Sequence, residues 1–396
     1  MTADRRWPVI TALGIEQILA WGMSYYLLTV LAKPISADTG WPLSWVVGSL
    51  SVGLLVAGTV SPRVGRLIGT YGGRPVMSVS VILLAIGLAL LGWSPSLPVF
   101  VVAWIVLGAG MGAGLYDAAF ATLGRLYGAT ARPSITTLTL WGGFASTVCW
   151  PLSAWLIDLV GWRHTCFIYA AVQLGICLPL ILSLPHAPPM PPKPDGSPVA
   201  DEAMTPAERR AFLLMGAIVT VGGACTAILS VHVLTFLQAK GITLAVAVAM
   251  GALIGPSQVG ARILEMLTGG RYHPLWTLTV AMSLVAGGIL FLWAGFPIPA
   301  IALILYGAGN GIYSIARGTV PLALFGPDRY APLLGRLAMP SLLAQALTPS
   351  AAALILTGYG TDAALAILAL MALTNVGLVV LLWQADRALR PTPSPA

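Results

Sequence analysis

Apolar runs long enough to cross a lipid bilayer recur from one end of this chain to the other, and no other feature restricts its fold as much. A helix needs about 20 mostly apolar residues to span the hydrocarbon core, where an unpaired backbone amide exposed to lipid is prohibitively expensive. Cutting the sequence at its clusters of charge, proline and glycine predicts twelve such helices. The spans are 8–32, 44–67, 75–93, 97–120, 134–158, 164–184, 210–237, 244–267, 274–294, 298–318, 332–357 and 362–384. With 58% hydrophobic and 8% charged residues, a soluble fold of this length is excluded, leaving an all-α integral membrane protein.

The charges set the expected orientation. Twenty basic against 13 acidic side chains give a net charge of +7, but they stand singly between apolar stretches, so no nucleic-acid partner is expected. Basic loops stay cytoplasmic, and the loops on one side hold only Lys33, Arg163 and Lys240. Both termini are therefore expected inside. Trp41, Trp45, Trp93, Trp162 and Trp293 fall near the outer interface, and Trp7, Trp276 and Trp383 near the inner one. Arg5 and Arg6 before an apolar run resemble a leader, but Pro8 to Ala32 is too long and lacks an Ala-x-Ala site, so it reads as a retained span. Cys149, Cys166, Cys177 and Cys225 lie inside apolar segments without a Cys-x-x-Cys pair; no disulfide framework, metal or cofactor is expected.

Residues 1–184 and 209–396 read as two six-helix bundles joined by a cytoplasmic linker at 185–208. Pro185 to Pro206 holds eight prolines and almost nothing to bury. It ends at Thr205-Pro206-Ala207-Glu208, a capping box that starts the seventh helix. The halves echo each other: Gly110-x-Gly112-x-Gly114-x-Tyr116 returns as Gly307-x-Gly309-x-Gly311-x-Tyr313, and Gly72-Gly73-Arg74 as Gly269-Gly270-Arg271, both 197 residues on. Gly108 extends the first ladder, whose small residues suit close helix contact. Pro349 answers Pro151 one residue further along. Such a duplication predicts a substrate site at mid-depth where the repeats meet.

Twelve spans, the central linker and the stretch Gly65-Arg66-Leu67-Ile68-Gly69-Thr70-Tyr71-Gly72-Gly73-Arg74 make the chain resemble the major facilitator superfamily. The family signature Gly-x-Leu-Ala-Asp-Arg-x-Gly-Arg-Arg is matched at Gly65, Leu67, Gly72 and Arg74, while Gly69 replaces its acidic residue and Thr70 and Gly73 two basic ones. The resemblance implies a cytoplasmic gate of Gly65, Arg66, Gly72 and Arg74, with Asp117 as acidic partner of Arg74 or Arg66. Arg271 and Arg317 are the corresponding gate candidates of the second half. Of the antiporter signature in the fifth span only Pro151 survives, with Trp150, Ala154 and Trp155 in place of its glycines. Gly161-Trp162-Arg163 is also common in the superfamily. An arginine in the eighth span resembles the monocarboxylate and oxalate-formate carriers.

Ionisable groups inside a membrane cost roughly 2.5–3.5 kcal/mol each on insertion scales, which makes them functional candidates. Glu16 is the foremost, with Gln17, Trp21 and Tyr25 following it along the first span. It is either a proton-coupling carboxyl below a cavity wall or a packing group held by a backbone or hydroxyl partner. Gln258, Arg262 and Glu265 share a face of the eighth span, suited to binding an organic anion or, alternatively, to a gate. Tyr306 and Asn310 are expected to line a cavity, His232 to carry a proton or be simply hydrogen-bonded, and Gln345 with Pro349 to mark a bend facing the pore. No lysine follows a glycine, so there is no phosphate-binding loop and no primary pump, and no nucleophile-base or metal constellation suggests an enzyme. A proton-coupled secondary carrier of a small organic solute, anionic or amphipathic, is the leading expectation. A non-transporting sensor and an uncoupled uniporter are the alternatives. A monomer is expected, in a bacterial inner membrane as the arginine bias over lysine suggests.

Overall fold

A computed structural model of the chain describes residues 6–187 and 204–389, so most of the expected proline-rich linker lies outside the described residues. The described residues are helical apart from short joints. In chain order the helices are α1 (Arg6–Gly22), α2 (Leu27–Thr39), α3 (Leu43–Tyr71), α4 (Gly73–Trp93), α5 (Leu97–Gly114), α6 (Tyr116–Tyr127) and α7 (Arg132–Gly142). There follow α8 (Ala145–Val172), a π-helical turn Gln173–Cys177, α9 (Leu178–Leu182), α10 (Pro206–Ala239), α11 (Leu244–Gly251), α12 (Ile254–Leu267), α13 (Pro274–Trp293) and α14 (Pro299–Leu389). Among the described residues, nine helical runs are long and apolar enough to cross a membrane. Large apolar side chains such as Leu159, Leu264, Leu267, Leu354 and Leu370 are exposed, a surface suited to lipid rather than water.

Contacts divide the chain into two compact units. One comprises Met1–Pro192 with Pro327–Ala346, the other Lys193–Gly326 with Leu347–Ala396. In the first, α5 packs chiefly on α3 and α4, around a core that includes Met23, Leu31, Leu88, Phe100 and Trp104. In the second, Phe236, Ile289, Leu303, Leu365 and Leu368 are buried together.

Glycine sets the joints. At Gly161 (φ 78°, ψ 165°) α8 is interrupted by a kink, and at Gly326 (φ 72°, ψ 169°) and Gly360 (φ 82°, ψ 176°) so is α14. This region of backbone space is open essentially to glycine alone, so one residue turns the chain without a loop. Gly161 and Gly360 are 199 residues apart, and two positions after each stands a charge: Arg163 and Asp362. Arg163 Nε lies 3.8 Å from Asp38 Oδ2 near the end of α2, and its Nη1 donates to the Gly92 and Ser94 carbonyls at 3.1 and 2.9 Å. Trp162 Nε1 donates to the same carboxylate at 2.9 Å. In the second unit Asp362 Oδ1 takes Lys240 Nζ, at the end of α10, at 3.0 Å, and that lysine reaches the Trp293 carbonyl. The two clamps have the same placement and opposite polarity.

Several boundaries differ from the expected ones. The first span breaks at 23–26 and resumes as α2 to Thr39, so Lys33 is helical and not in a loop. The second continues to Tyr71, the tenth to Phe325, and the next segment begins at Pro327, because a single glycine suffices where a loop was expected. The seventh begins at Pro206, where Glu208 N donates to Thr205 Oγ1 at 3.2 Å and Thr205 N to Glu208 Oε2 at 2.8 Å, the expected capping box.

The glycine ladders repeat in a register other than 197. A Cβ on Gly108 or Gly112 would strike α3, at Gly53 and Ala57, and one on Gly110 or Gly114 would strike α4, at Leu84 and Ser80. In the second unit Gly307 and Gly311 abut α12, at Ile254 and Gln258, while Gly309 abuts α13, at Val285. Gly108, Gly110 and Gly112 therefore answer Gly307, Gly309 and Gly311, at 199 residues. A slip of two residues turns a helix by about 200°, which would present each glycine to the wrong neighbour. Tyr313 is then the counterpart of Gly114, not of Tyr116.

Candidate functional site: a buried carboxyl joined to a ring cluster

Breaks in the helices of the first unit come together around the end of α1. That helix stops at Gly22, and after it Tyr26 N reaches back five residues to the Trp21 carbonyl at 3.0 Å. The fourth span breaks at Leu115, whose extended backbone separates α5 from α6, and the fifth at 143–144 between α7 and α8. The sixth carries the π turn. Interrupted helices release backbone from its regular ladder, and such interruptions are tolerated at membrane depth only where protein or a cavity surrounds them.

Glu16 lies inside this region, 0% exposed, and Gln17 is equally buried. Gln17 Nε2 donates to Glu16 Oε2 at 2.8 Å and to the Gly114 carbonyl at 2.7 Å, and Trp21 Nε1 donates to Gln17 Oε1 at 3.2 Å. The Trp21 ring meets those of Tyr25 (5.2 Å between centroids), Tyr26 (5.8 Å) and Tyr116 (5.1 Å). Tyr116 also stacks on Phe120, while Tyr26 meets Trp150. Glu16, Gln17, Trp21 and Tyr25 thus form one connected group, as the first-span face suggested. The hydrogen-bond partner of Glu16 is the neighbouring amide of Gln17, which the close approach of α5 at Gly114 holds in place. Its other oxygen, Oε1, is buried and has no hydrogen-bond partner among the described residues.

Tyr26, Tyr116, Trp150 and Gln173 were not among the candidate site residues read from the sequence. Trp150 stands where the antiporter signature has glycine, and its ring is part of the cluster. Gln173, fully buried on the π turn with its Nε2 3.8 Å from Met23 Sδ, is a lone amide in an apolar span, and that was its one signal.

The gate residues behave differently from expectation. Arg74 Nη1 lies 3.2 Å from His186 Nδ1, and Arg66 is exposed, so neither forms the expected pair with Asp117. The break at Leu115 is the reason: it restarts the helix and places Asp117 in the first turn of α6, where an acidic group is favourable, with Tyr330 within its electrostatic reach. Gly65 packs on Ala331 and Gly335, Gly69 against Pro332, and Gly73 against Thr122. The departures from the family signature at 69 and 73 follow, since a longer side chain at either would collide with these neighbours. Gly72, with φ 81°, makes the turn.

In the second unit Arg262 is buried, with Nε 3.2 Å from the Gly311 carbonyl, and Gln258 packs through its backbone on Gly311. Glu265 Oε1 accepts from Thr277 Oγ1 at 2.7 Å. Asn310 Oδ1 accepts from Thr226 at 3.1 Å, and Tyr313 Oη donates to the Val219 carbonyl at 3.3 Å. Tyr306 is 3% exposed, and the absence of a side chain at Gly288 draws its backbone against α13. His232 Nε2 donates to the Pro349 carbonyl at 2.9 Å, an acceptor that fixes the proton on Nε2. Arg317 is half-buried on α14 and Arg271 is exposed. In the first unit Gln345 Nε2 donates to Ser341 Oγ and to its carbonyl, so its amide is turned along its own helix.

Apolar helices with lipid-suited surfaces, arranged in two units that repeat the same ladders and joints, define an integral membrane protein of duplicated helical architecture. The chain belongs to the Major Facilitator Superfamily, whose family model matches residues 17–315. It is therefore a member of a superfamily of membrane transporters that carry small molecules, not of an enzyme family. Its fold is shared with solved structures of low identity. The human organic anion transporter MFSD10 is 18% identical with a TM-score of 0.72, over 96% of this chain and 100% of that one. The proton:xylose symporter XylE bound to 6-bromo-6-deoxy-D-glucose is 11% identical with a TM-score of 0.75, over 97% and 96%. The E. coli fucose:proton symporter FucP is 14% identical with a TM-score of 0.71, over 98% and 99%. No match is found among curated proteins.

Proposed function

We propose that this protein is a proton-coupled secondary carrier of a small organic solute, working by alternating access, with Glu16 as the proton-carrying group. One observation supports this reading above the rest: a carboxyl buried completely inside a membrane-spanning unit, with no cation paired to it among the described residues, is linked by hydrogen bonds to a cluster of aromatic rings. Burying a carboxylate without a counter-charge is far more expensive than burying the acid, so a group in this place gains or loses its proton only together with a change in its surroundings. Trp21, Tyr25, Tyr26 and Tyr116 suit a solute with an apolar or aromatic body. A preference for an anion rests on Arg262.

The same proposal takes the membrane topology as twelve crossings in two six-helix bundles, 1–184 and 209–396, with cytoplasmic termini. The breaks at Gly161, Gly326 and Gly360, which divide two of the nine apolar runs, support it. It extends to a monomer in a bacterial inner membrane, and to gate roles for Gly65, Arg66, Gly72, Arg74, Asp117, Arg271 and Arg317. The remaining candidates for the substrate and proton pathway are His232, Gln258, Glu265, Tyr306, Asn310 and Gln345.

The test is proteoliposomes holding a pH-sensitive dye, screened with pooled organic carboxylates and amphipathic cations. We expect solute-dependent proton movement by the wild type and its loss in Glu16→Gln, with solute exchange down its own gradient retained. Solute flux with unchanged proton movement in Glu16→Gln removes Glu16 from the coupling. Binding without any flux turns the reading to a sensor, and flux without proton movement to a uniporter.

A further inference from the structure

We propose that Gln17 is a positioning residue: its amide, locked in one orientation by the Trp21 indole and the Gly114 carbonyl, confines proton exchange at Glu16 to Oε1 and ties the ionisation of that carboxyl to the placement of the Trp21 ring. The inference rests on the reading of Glu16 as a proton carrier and adds the group through which a solute would act on it.

The locking follows from donor chemistry. An indole nitrogen can only donate and a peptide carbonyl can only accept. Trp21 Nε1 therefore requires the oxygen of Gln17, and the Gly114 carbonyl requires its nitrogen; an inverted amide would set donor against donor and acceptor against acceptor. With both neighbours satisfied, the second N–H of Gln17 points at Glu16 Oε2, 2.8 Å away. Oε2 is consequently a hydrogen-bond acceptor in either state of the carboxyl, and the proton, when present, resides on Oε1. That oxygen is the one left without a partner, 3.9 Å from where a Cβ on Gly114 would stand.

The helices packed on α1 are α7, α8, the π turn and α9, with Gly114 of α5 touching Gln17. Among the titratable groups of these, the Cys177 thiol of the π turn is near enough to feel the charge of Glu16. Cys149 of α8 donates to the Ile18 carbonyl instead, and Tyr169 shares a hydrogen bond with Ser153. Among the charged groups of those helices, Arg163 is held by Asp38, Gly92 and Ser94, and His164 lies against the Val160 carbonyl. Asp158 follows two turns after Pro151 on α8, and Arg132 stands at the first position of α7. The first-turn Asp117 of α6 acts on Tyr330, and Arg6 at the start of α1 donates to Thr130. Gln17 is thus the polar side chain that grips Glu16, and its N–H bonds a carboxylate about twice as strongly as a neutral acid.

The indole bond polarises the amide and strengthens its donors. A solute that drew the Trp21 ring away from Gln17 would weaken the grip on the ionised form and so raise the affinity of Glu16 for a proton. By reciprocity, protonation would release the ring to the solute. The predicted sign is that of co-binding of proton and solute.

The experiment is infrared difference spectroscopy of the full-length protein in lipid nanodiscs, titrated with pH alone. The protonated-carboxyl stretch of Glu16 is assigned by its loss in Glu16→Gln. In Gln17→Leu we expect the midpoint of that band to move to higher pH by about one unit, a tenfold gain in proton affinity, because the ionised form loses a donor. In Trp21→Phe, which keeps a ring and removes only the indole N–H, we expect a smaller shift in the same direction. Should Gln17→Leu fail to fold, Trp21→Phe with a wild-type melting curve decides alone. An unmoved midpoint with the Glu16 band present overturns the role of Gln17 and leaves Glu16 as the carrier. No titrating band at all overturns both.

Discussion

At the scale of single residues, close approach of backbones, more than side-chain chemistry, decides what this protein tolerates. Gly114 has an ordinary helical backbone, yet a methyl group there would occupy the place of Ser80 Oγ and face Glu16 Oε1. Overpacking of this kind typically costs about 1–3 kcal/mol, and we expect Gly114→Ala to lower the thermal unfolding temperature in detergent and to disturb the Gln17 contact. Gly358 offers the contrast: open space surrounds it within the helix, so Gly358→Ala should leave stability unchanged or raise it by about 0.5–1 kcal/mol. The sequence named Glu16, Gln17, Trp21 and Tyr25 as a set because helical spacing alone places them near one another. It could not reach Tyr116 or Trp150, because these approach Trp21 and Tyr26 only after two other helices have broken and folded in.

At the scale of elements, the apolar runs and the capping box at Thr205 were legible because each has a local chemical cause. The breaks were not. Leu115, Ala252 and Leu253 are themselves apolar and no proline adjoins them, so hydrophobicity carries no mark of where these helices stop. The single-residue joints were half legible: glycines stood in the right places but suggested loops. Gly161 has no neighbour that a methyl group would strike, so any cost of Gly161→Ala is conformational, of order 1–3 kcal/mol for φ near +78°. We expect Gly161→Ala and Gly360→Ala each to lower the unfolding temperature by a similar amount, measured beside Gly358→Ala as a control.

At the scale of the whole molecule, the duplication was visible in sequence but its register was not, because two ladders of alternating glycines match equally well when slipped by two. Packing against named neighbours removes the ambiguity. It also shows large and small partners exchanged: in the first unit Gln17 reaches across to Gly114, while in the second Tyr313 fills that place and the opposing residue is Gly222, with Tyr313 Oη 3.0 Å from where a Cβ there would stand. Gly114→Ala and Gly222→Ala lie in separate units, so we expect their destabilisations to add within about 0.5 kcal/mol in a double variant. The clamps at Asp38–Arg163 and Lys240–Asp362 carry the exchange into charge. Exposed pairs of this type contribute at most about 1 kcal/mol, which matters little to the finished protein. Opposite polarity nevertheless makes the two clamps non-interchangeable: Arg163 is complementary to the acid at the end of α2 and Asp362 to the lysine at the end of α10, so neither partner could be exchanged for its counterpart without setting like charges together.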